Sequence, residues 1–245
     1  MTAARRDTLT PRDSLTPRDR GPLLTGDPAS KVDLKRTIAA YTAPRGSFEI
    51  VDVPPLRYLM VDGHGDPNTS KAYGDAVAAV FGVAYTLKFL SRRELGRDYV
   101  VMPLEGLWWS DDMATFTTDR DKSRWSWTMM SLVPEWLDDA HVARARDTAA
   151  SKGGSPAIDR LRVSELVEGL SVQTLHVGSY DDEAPVLDEL HHRFVPQHGL
   201  RLRGLHHEIY LADPRRTAPE KLRTILRQPV EHLSAGPAPA APATD

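Results

Sequence analysis

The sequence predicts an α+β fold built by duplication of a β-α-β-β unit, with a pseudo-twofold between the two copies and a ligand cleft between them. Three observations predict it. Two strand-like segments, residues 56–63 (Leu-Arg-Tyr-Leu-Met-Val-Asp-Gly) and 172–180 (Val-Gln-Thr-Leu-His-Val-Gly-Ser-Tyr), each run into a polar loop. Each loop leads into an amphipathic helix. Each helix is followed by two more strand-like runs around a turn signal.

The elements follow in order. Residues 1–30 carry a polar six-residue repeat, Arg6-Asp-Thr-Leu-Thr-Pro, Arg12-Asp-Ser-Leu-Thr-Pro and Arg18-Asp. It cannot bury a core and is expected to be a disordered tail. Residues 31–230 form one domain, with halves at about 46–135 and 170–230 and a helical connector over 136–169. Gly63 and Gly178 are matched as the points where the first strand of each half turns. The first helix starts near Ser70, with Tyr73, Val77, Val80, Ala84 and Leu87 on its apolar stripe. In the second, Leu187, Leu190 and Phe194 form the stripe, Asp182 or a neighbour caps it, and Pro185 sits in its first turn. Glu189 and Arg193 can pair on its outer side, His191 and His192 face solvent, and Pro196 and Gly199 end it. The first half then gives residues 99–109, a turn at Asp111-Asp112, and residues 125–133. The second gives 205–211, a turn at Asp213-Pro214, and a return over 221–227. Within the connector, 136–150 reads as helix, Gly153-Gly154 breaks it, and 161–168 is ambiguous. Residues 231–245, rich in Pro and Ala, read as a second disordered tail.

Bulk composition narrows the functional classes. A net charge of −3 offers no basic surface for nucleic acid, so direct DNA binding is not expected. The absence of Cys excludes disulfides, thiolate catalysis and thiolate metal sites. No run of 18 apolar residues predicts a membrane-crossing helix, and no signal peptide is evident. A soluble, cytoplasmic protein is expected, either monomer or homodimer.

The candidate site comes from strand alternation. On residues 205–211, His206, Glu208 and Tyr210 share one face, and Leu205, His207, Ile209 and Leu211 the other. On the earlier hairpin, Glu105, Leu107 and Trp109 share a face, opposite Met102, Leu104 and Trp108, while Trp125, Trp127 and Met129 line the partner strand. A carboxylate in mid-strand among aromatics is costly unless it is paired or functional. Aromatic walls suit an aromatic or cationic ligand. The alignment of the halves makes Glu105 and Glu208 equivalent and predicts that both reach one pocket. Each Glu also has a structural reading, as a solvated edge residue or an Arg partner, and the Trp residues also read as core. His206 and His207 point to opposite faces and cannot share a metal, so neither metal nor cofactor is expected.

Four segments carry a family resemblance: Pro103-Leu-Glu-Gly-Leu-Trp-Trp, Leu175-His-Val-Gly-Ser-Tyr, His207-Glu-Ile-Tyr-Leu-Ala-Asp-Pro-Arg-Arg and Leu222-Arg-Thr-Ile-Leu-Arg-Gln-Pro-Val. Over about residues 31–230 the chain resembles GyrI-like small-molecule-binding proteins. The resemblance implies the duplicated SHS2-type fold with its cleft between halves. In drug-sensing regulators of this family a buried Glu meets cationic aromatic drugs, and Glu208 matches it by motif. No DNA-binding module is recognised here. A stand-alone branch hydrolyses cyclopropane-bearing DNA alkylators of the yatakemycin and duocarmycin type, and the Trp-Trp motif is similar to that branch. The resemblance therefore implies a detoxifying, drug-resistance hydrolase with a hydrophobic aromatic ligand. Glu208 would act as base or water anchor, Glu105 as second acid, and Tyr180 or Tyr210 as donor. Trp108, Trp109, Trp125, Trp127, Met129 and His206 would line the ligand. A binding protein without turnover and a gyrase-binding partner are the other readings.

Overall fold

A computed structural model describes residues 31–111 and 121–233. The expectations for the two tails and for Asp112 lie outside these residues, except that residues 231 and 232 end a strand rather than begin a tail.

The strands are β1 (Glu49–Val53), β2 (Leu56–His64), β3 (Leu104–Trp109), β4 (Ser126–Leu132), β5 (Arg162–Leu166), β6 (Gly169–Val177), β7 (Leu200–Leu202), β8 (His206–Tyr210) and β9 (Arg223–His232). They form one antiparallel sheet ordered β1-β6-β9-β8-β3-β4-β2-β5, with β7 also paired to β9. The order is a palindrome of the duplication. β6-β9-β8 mirrors β2-β4-β3, and the pseudo-twofold passes between β8 and β3.

The outer strands sharpen the repeat unit. β1 precedes β2 in sequence but pairs with β6, in the other half. β5 precedes β6 but pairs with β2. Each copy is thus β-β-α-β-β with its first strand exchanged into the opposite half. The ambiguous residues 161–168 hold the second copy of that strand. The sequence alone hid this because both exchanged strands are short and half exposed.

The helices lie on one side of the sheet, called here the helix face. α1 (Lys71–Leu95) follows Ser70 and ends on Gly96 in the left-handed conformation, which satisfies its last carbonyls. At 25 residues it is long and apolar enough to cross a bilayer. However, Ala76, Val80, Val83 and Leu87 bury its inner side against the sheet and connector. Each large one contributes about 1.5–3 kcal/mol. α2 (Asp139–Ser151), capped by Asp138, packs on α1.

The second helix is interrupted. α3 (Ala184–Glu189) runs into a π turn, Leu190–Phe194, and then α4 (Val195–Gln197). The N-cap is Glu183, with Pro185 in the first turn. The wide turn moves the apolar stripe by one residue. Leu190 and Val195 are buried at five-residue spacing, while Leu187 stays partly exposed. The same rotation turns His191 inward, its ring edge-on to His206 at 6.4 Å between centroids. The solvent-facing expectation for His191 is thereby corrected. His192 is exposed.

Gly63 has a different role from the turn expected of it. β2 continues through it to His64, and Gly63 pairs with Trp127. A Cβ at Gly63 would stand 2.0 Å from the Trp127 ring. Only glycine lets that indole lie flat across the strand.

Candidate ligand-binding site

β3 and β8 meet at the midline in the register Leu104↔Tyr210, Gly106↔Glu208 and Trp108↔His206. Directly opposed residues share a face. Glu208 therefore stands in a helix-face row with Gly106, Met129 and Leu226, beside the row of Trp127, Trp108 and His206.

A hydrogen-bonded chain organises this surface. The Trp108 indole donates to the Tyr210 hydroxyl at 2.9 Å. That hydroxyl donates to Glu208 Oε2 at 2.8 Å. His206 Nε2 lies 3.4 Å from Glu208 Oε1. Gly106 makes room for the chain. A Cβ there would lie 2.8 Å from Trp108 Nε1 and 3.1 Å from the Tyr210 hydroxyl. The glycine in Leu-Glu-Gly-Leu-Trp-Trp was the local signal for this packing.

Both halves add aromatics. Tyr73, in the first turn of α1, stacks on Trp108 at 6.3 Å and meets Trp127 edge-on at 5.2 Å. Trp125 meets Trp108 edge-on at 5.8 Å. From the other half, Tyr180 meets Tyr210 edge-on at 5.6 Å. Burial, and then the Glu208 charge, raise the Tyr73 and Tyr210 hydroxyls and push Tyr180 up to about 12. All three remain protonated donors at neutral pH. The Glu208 side chain is 14% exposed, and no Lys or Arg among the described residues pairs with it. Tyr73 and the buried Glu183, whose charge acts on Tyr180 and Tyr210, were missed in the sequence. Nothing local distinguishes them from a helix-stripe Tyr and a helix cap.

The predicted site residues divide between the two faces. Glu208, Tyr210, Tyr180, Trp108, Trp125 and His206 converge. Met129 and Trp127 lie beneath them and are sealed, Trp127 at 0% exposure with its indole donating to the Gly65 carbonyl at 3.1 Å. They are floor rather than wall. Trp109 projects to the opposite face and packs with Met102, Leu107 and Ile209.

Glu105 is also on that opposite face, which corrects the expected two-carboxylate pocket. A twofold axis normal to a sheet maps a residue only onto one with the same face. Glu105 is opposed to Ile209 and Glu208 to Gly106, so the two Glu differ by one residue in parity and are not equivalent. Glu105 is 0% exposed and belongs to a closed ionic network. It accepts from the Tyr41 hydroxyl at 2.6 Å and from His207 Nε2 at 3.0 Å. His207 Nδ1 reaches Glu168 at 2.9 Å, and Arg227 reaches Glu168 at 2.8 Å. Arg227 also holds Gln173 at 3.0 Å and the Ala40 carbonyl. With a carboxylate at each ring nitrogen, His207 donates from both and is an imidazolium. Burial draws its pKa down, but Glu168 and the hydrogen bonds to both acids outweigh this and raise it. Burial likewise raises Glu168, but His207 and Arg227 hold it at about 2.

No group of His, Asp and Glu among the described residues is arranged to hold a metal. A separate cleft of about 290 Å³, lined by Arg45, Phe48, Thr174, His176, Val186 and Glu189, contains none of the predicted site residues.

Known proteins share this architecture. The model of the GyrI-like small molecule binding domain matches residues 47–231. An uncharacterized conserved protein from Listeria innocua is 36% identical, over 82% of this chain and 100% of its own, with a TM-score of 0.74. A hydrolase from Listeria innocua is 34% identical over the same shares, with a TM-score of 0.71. No curated protein matches the sequence. The match spans both halves of the sheet and every residue of the Glu208 cluster, and the chain belongs to the GyrI-like small-molecule-binding family.

Proposed function

We propose that this protein is a cofactor-independent hydrolase that binds a planar aromatic electrophile over Glu208 and opens an activated cyclopropane on it by adding water. The cellular role would be detoxification of DNA-alkylating compounds, in the cytoplasm. The observation that carries the reading is the Trp108–Tyr210–Glu208 chain, which aims a carboxylate into an aromatic surface with no Lys or Arg beside it among the described residues. The hydrolase description of a relative at 34% identity supports it.

Water oxygen bonds to a cyclopropane carbon, and its proton passes to Glu208. The strained C–C bond breaks, and its electron pair moves into the conjugated carbonyl, which becomes an enolate or phenolate. A tyrosine hydroxyl donates to that oxyanion. Tyr210 already donates to Glu208, so it is the positioning residue. Tyr180, 36% exposed at the rim, is the donor. Trp108, Trp125 and Tyr73 hold the aromatic plane and bring the reacting carbon to the water.

The test is multiple-turnover hydrolysis of a cyclopropane-bearing alkylator, followed by mass spectrometry. Water-added product beyond one equivalent, lost in Glu208→Gln, supports the hydrolase. Tight binding with no product beyond one equivalent overturns it in favour of a sequestering protein. The same carboxylate without a cation partner also fits that second reading, because a cationic aromatic ligand would supply the missing charge.

A further inference from the structure

The hydrolytic cycle leaves a proton on Glu208, and the carboxylate must lose it before the next turnover. Beside Glu208 lies His206, whose buried Nδ1 and Nε2 form no hydrogen bond, and against His206 lies His191, whose buried Nε2 forms none. Buried polar atoms left unpaired are costly, and three in one place call for a reason. Their arrangement supplies one. His206 Nε2 is 3.4 Å from Glu208 Oε1, and the His206 ring meets the His191 ring edge-on, 6.4 Å between centroids. His191 is partly exposed, and exposed His192 follows it in the chain. The row runs from the carboxylate to the protein surface.

We propose that His206 and His191 form a proton exit from Glu208, regenerating its carboxylate after each water addition. This rests on the hydrolytic reading above. The protonated Glu208 Oε1 gives its proton to His206 Nε2, and the ring releases its other proton from Nδ1 toward the His191 ring, 6.4 Å away between centroids. His191 passes one on to solvent. Solvent returns a proton to Tyr180 at the rim, so no net charge accumulates.

The surroundings agree with a conduit rather than a store. Burial, then His206 and His192, lower His191 to about 4, with a hydrogen bond to Gln228 and then Asp188 acting the other way. His191 therefore hands a proton on at neutral pH and does not trap it. Gln228 from β9 hydrogen-bonds His191 and Trp108 from β3 stands opposite His206, and neither titrates near neutrality. The π turn that rotates His191 inward is what places it in the row. The wide turn is thus explained by function as well as by packing.

The experiment uses the full chain and a cyclopropane-bearing alkylator, with kcat and KM measured from pH 5 to 9 in wild type, His206→Gln and His191→Gln. We expect kcat to fall by at least about tenfold in His206→Gln, and less in His191→Gln, with KM nearly unchanged. Free imidazole should restore kcat in both in proportion to its concentration, without restoring anything in Glu208→Gln. Ligand affinity, read by tryptophan fluorescence, should not move in His191→Gln, which lies behind His206 and away from the aromatic surface. An unchanged kcat, a loss confined to KM, or a folded variant that imidazole does not rescue would each overturn the exit route while leaving the hydrolase standing. Absence of turnover in wild type would overturn the hydrolase itself, and the exit with it.

Discussion

Glu105 and Glu208 sit on neighbouring strands at the centre of one sheet, yet they live in opposite environments. Glu105 is closed under residues 31–45, and every polar atom it faces is a donor held in place: the Tyr41 hydroxyl and a doubly protonated His207. Its network carries two acids and two cations, Glu105, Glu168, His207 and Arg227, and so closes on itself in charge. Glu208 has a tyrosine, a histidine without hydrogen bonds and an aromatic surface, and no Lys or Arg among the described residues. A satisfied buried carboxylate is architecture. A carboxylate satisfied on one side only, and reachable on the other, is available for a ligand or for chemistry.

The largest effect should come from exchanging each acid for its amide. Glu208→Gln should lower kcat by roughly 10²–10⁴-fold, the range of a lost general base, while the melting temperature stays nearly constant. Glu105→Gln should do the reverse, lowering the melting temperature and sparing turnover in whatever fraction folds. Steady-state kinetics and thermal melts on both variants check the division. Loss of turnover in Glu105→Gln without loss of stability would erase the contrast between the two faces.

Next in size is the sealed network itself. Arg227→Met leaves Glu168 with His207 alone, and breaking such a buried pair costs about 3–5 kcal/mol. In a domain of this size that lowers the melting temperature by on the order of 10 °C. Ligand affinity in the folded fraction should be retained, because Arg227 and Glu208 face opposite sides of the sheet.

The pH dependence follows from the same network. Glu168 is depressed from 4.5 to about 2, so its contribution is full above pH 4.5 and is lost as the pH falls toward 2. His207 is raised above 6.5, so its contribution is full below pH 6.5 and is lost as the pH rises through its folded value. Stability should therefore peak between about pH 4.5 and 6.5 and decline on both sides. Urea midpoints across pH 3–9 test this, and Glu168→Gln should flatten the acid limb.

The contrast also measures what the sequence could say. Period-two alternation places His206, Glu208 and Tyr210 together, and Glu105 with Leu107 and Trp109, because alternation is a property of one strand. Which face of β3 joins which face of β8 is a property of register between strands 102 residues apart in the chain. A one-residue error there moved Glu105 across the sheet. The partners of Glu105 were equally out of reach. Tyr41 lies 64 residues away in a 3-10 turn, and Glu168 and Arg227 meet across 59 residues. Neither leaves a local pattern. The π turn escaped for a related reason. Regular helical spacing assigns Leu187 and Leu190 to one stripe, and only the packed helix reveals the extra residue before Val195.

Gly106→Ala is a smaller and sharper perturbation. The added methyl carbon would contact Trp108 Nε1 and Met129 Cε at 2.8 Å each, and both must give way. As the indole moves, Tyr210 loses its donor and Glu208 its fixed orientation. We expect kcat to fall by about tenfold, with an overpacking cost of about 1–3 kcal/mol. Retention of full kcat would make the Trp108–Tyr210 bond incidental to the site.

The smallest predicted effect tests the alternation directly, on two adjacent indoles. Trp108 lies on the helix face, stacked on Tyr73 and bonded to Tyr210, whereas Trp109 packs on the face of Glu105. Trp108→Phe keeps an aromatic ring but removes the N–H that Tyr210 accepts, a loss of about 1 kcal/mol and so about fivefold in affinity for an aromatic ligand. Trp109→Phe should leave affinity unchanged and cost only stability. Isothermal titration of both variants against one planar aromatic ligand decides it. Equal losses would mean that the ligand reaches both faces of the sheet, against the division of the two indoles between opposite faces.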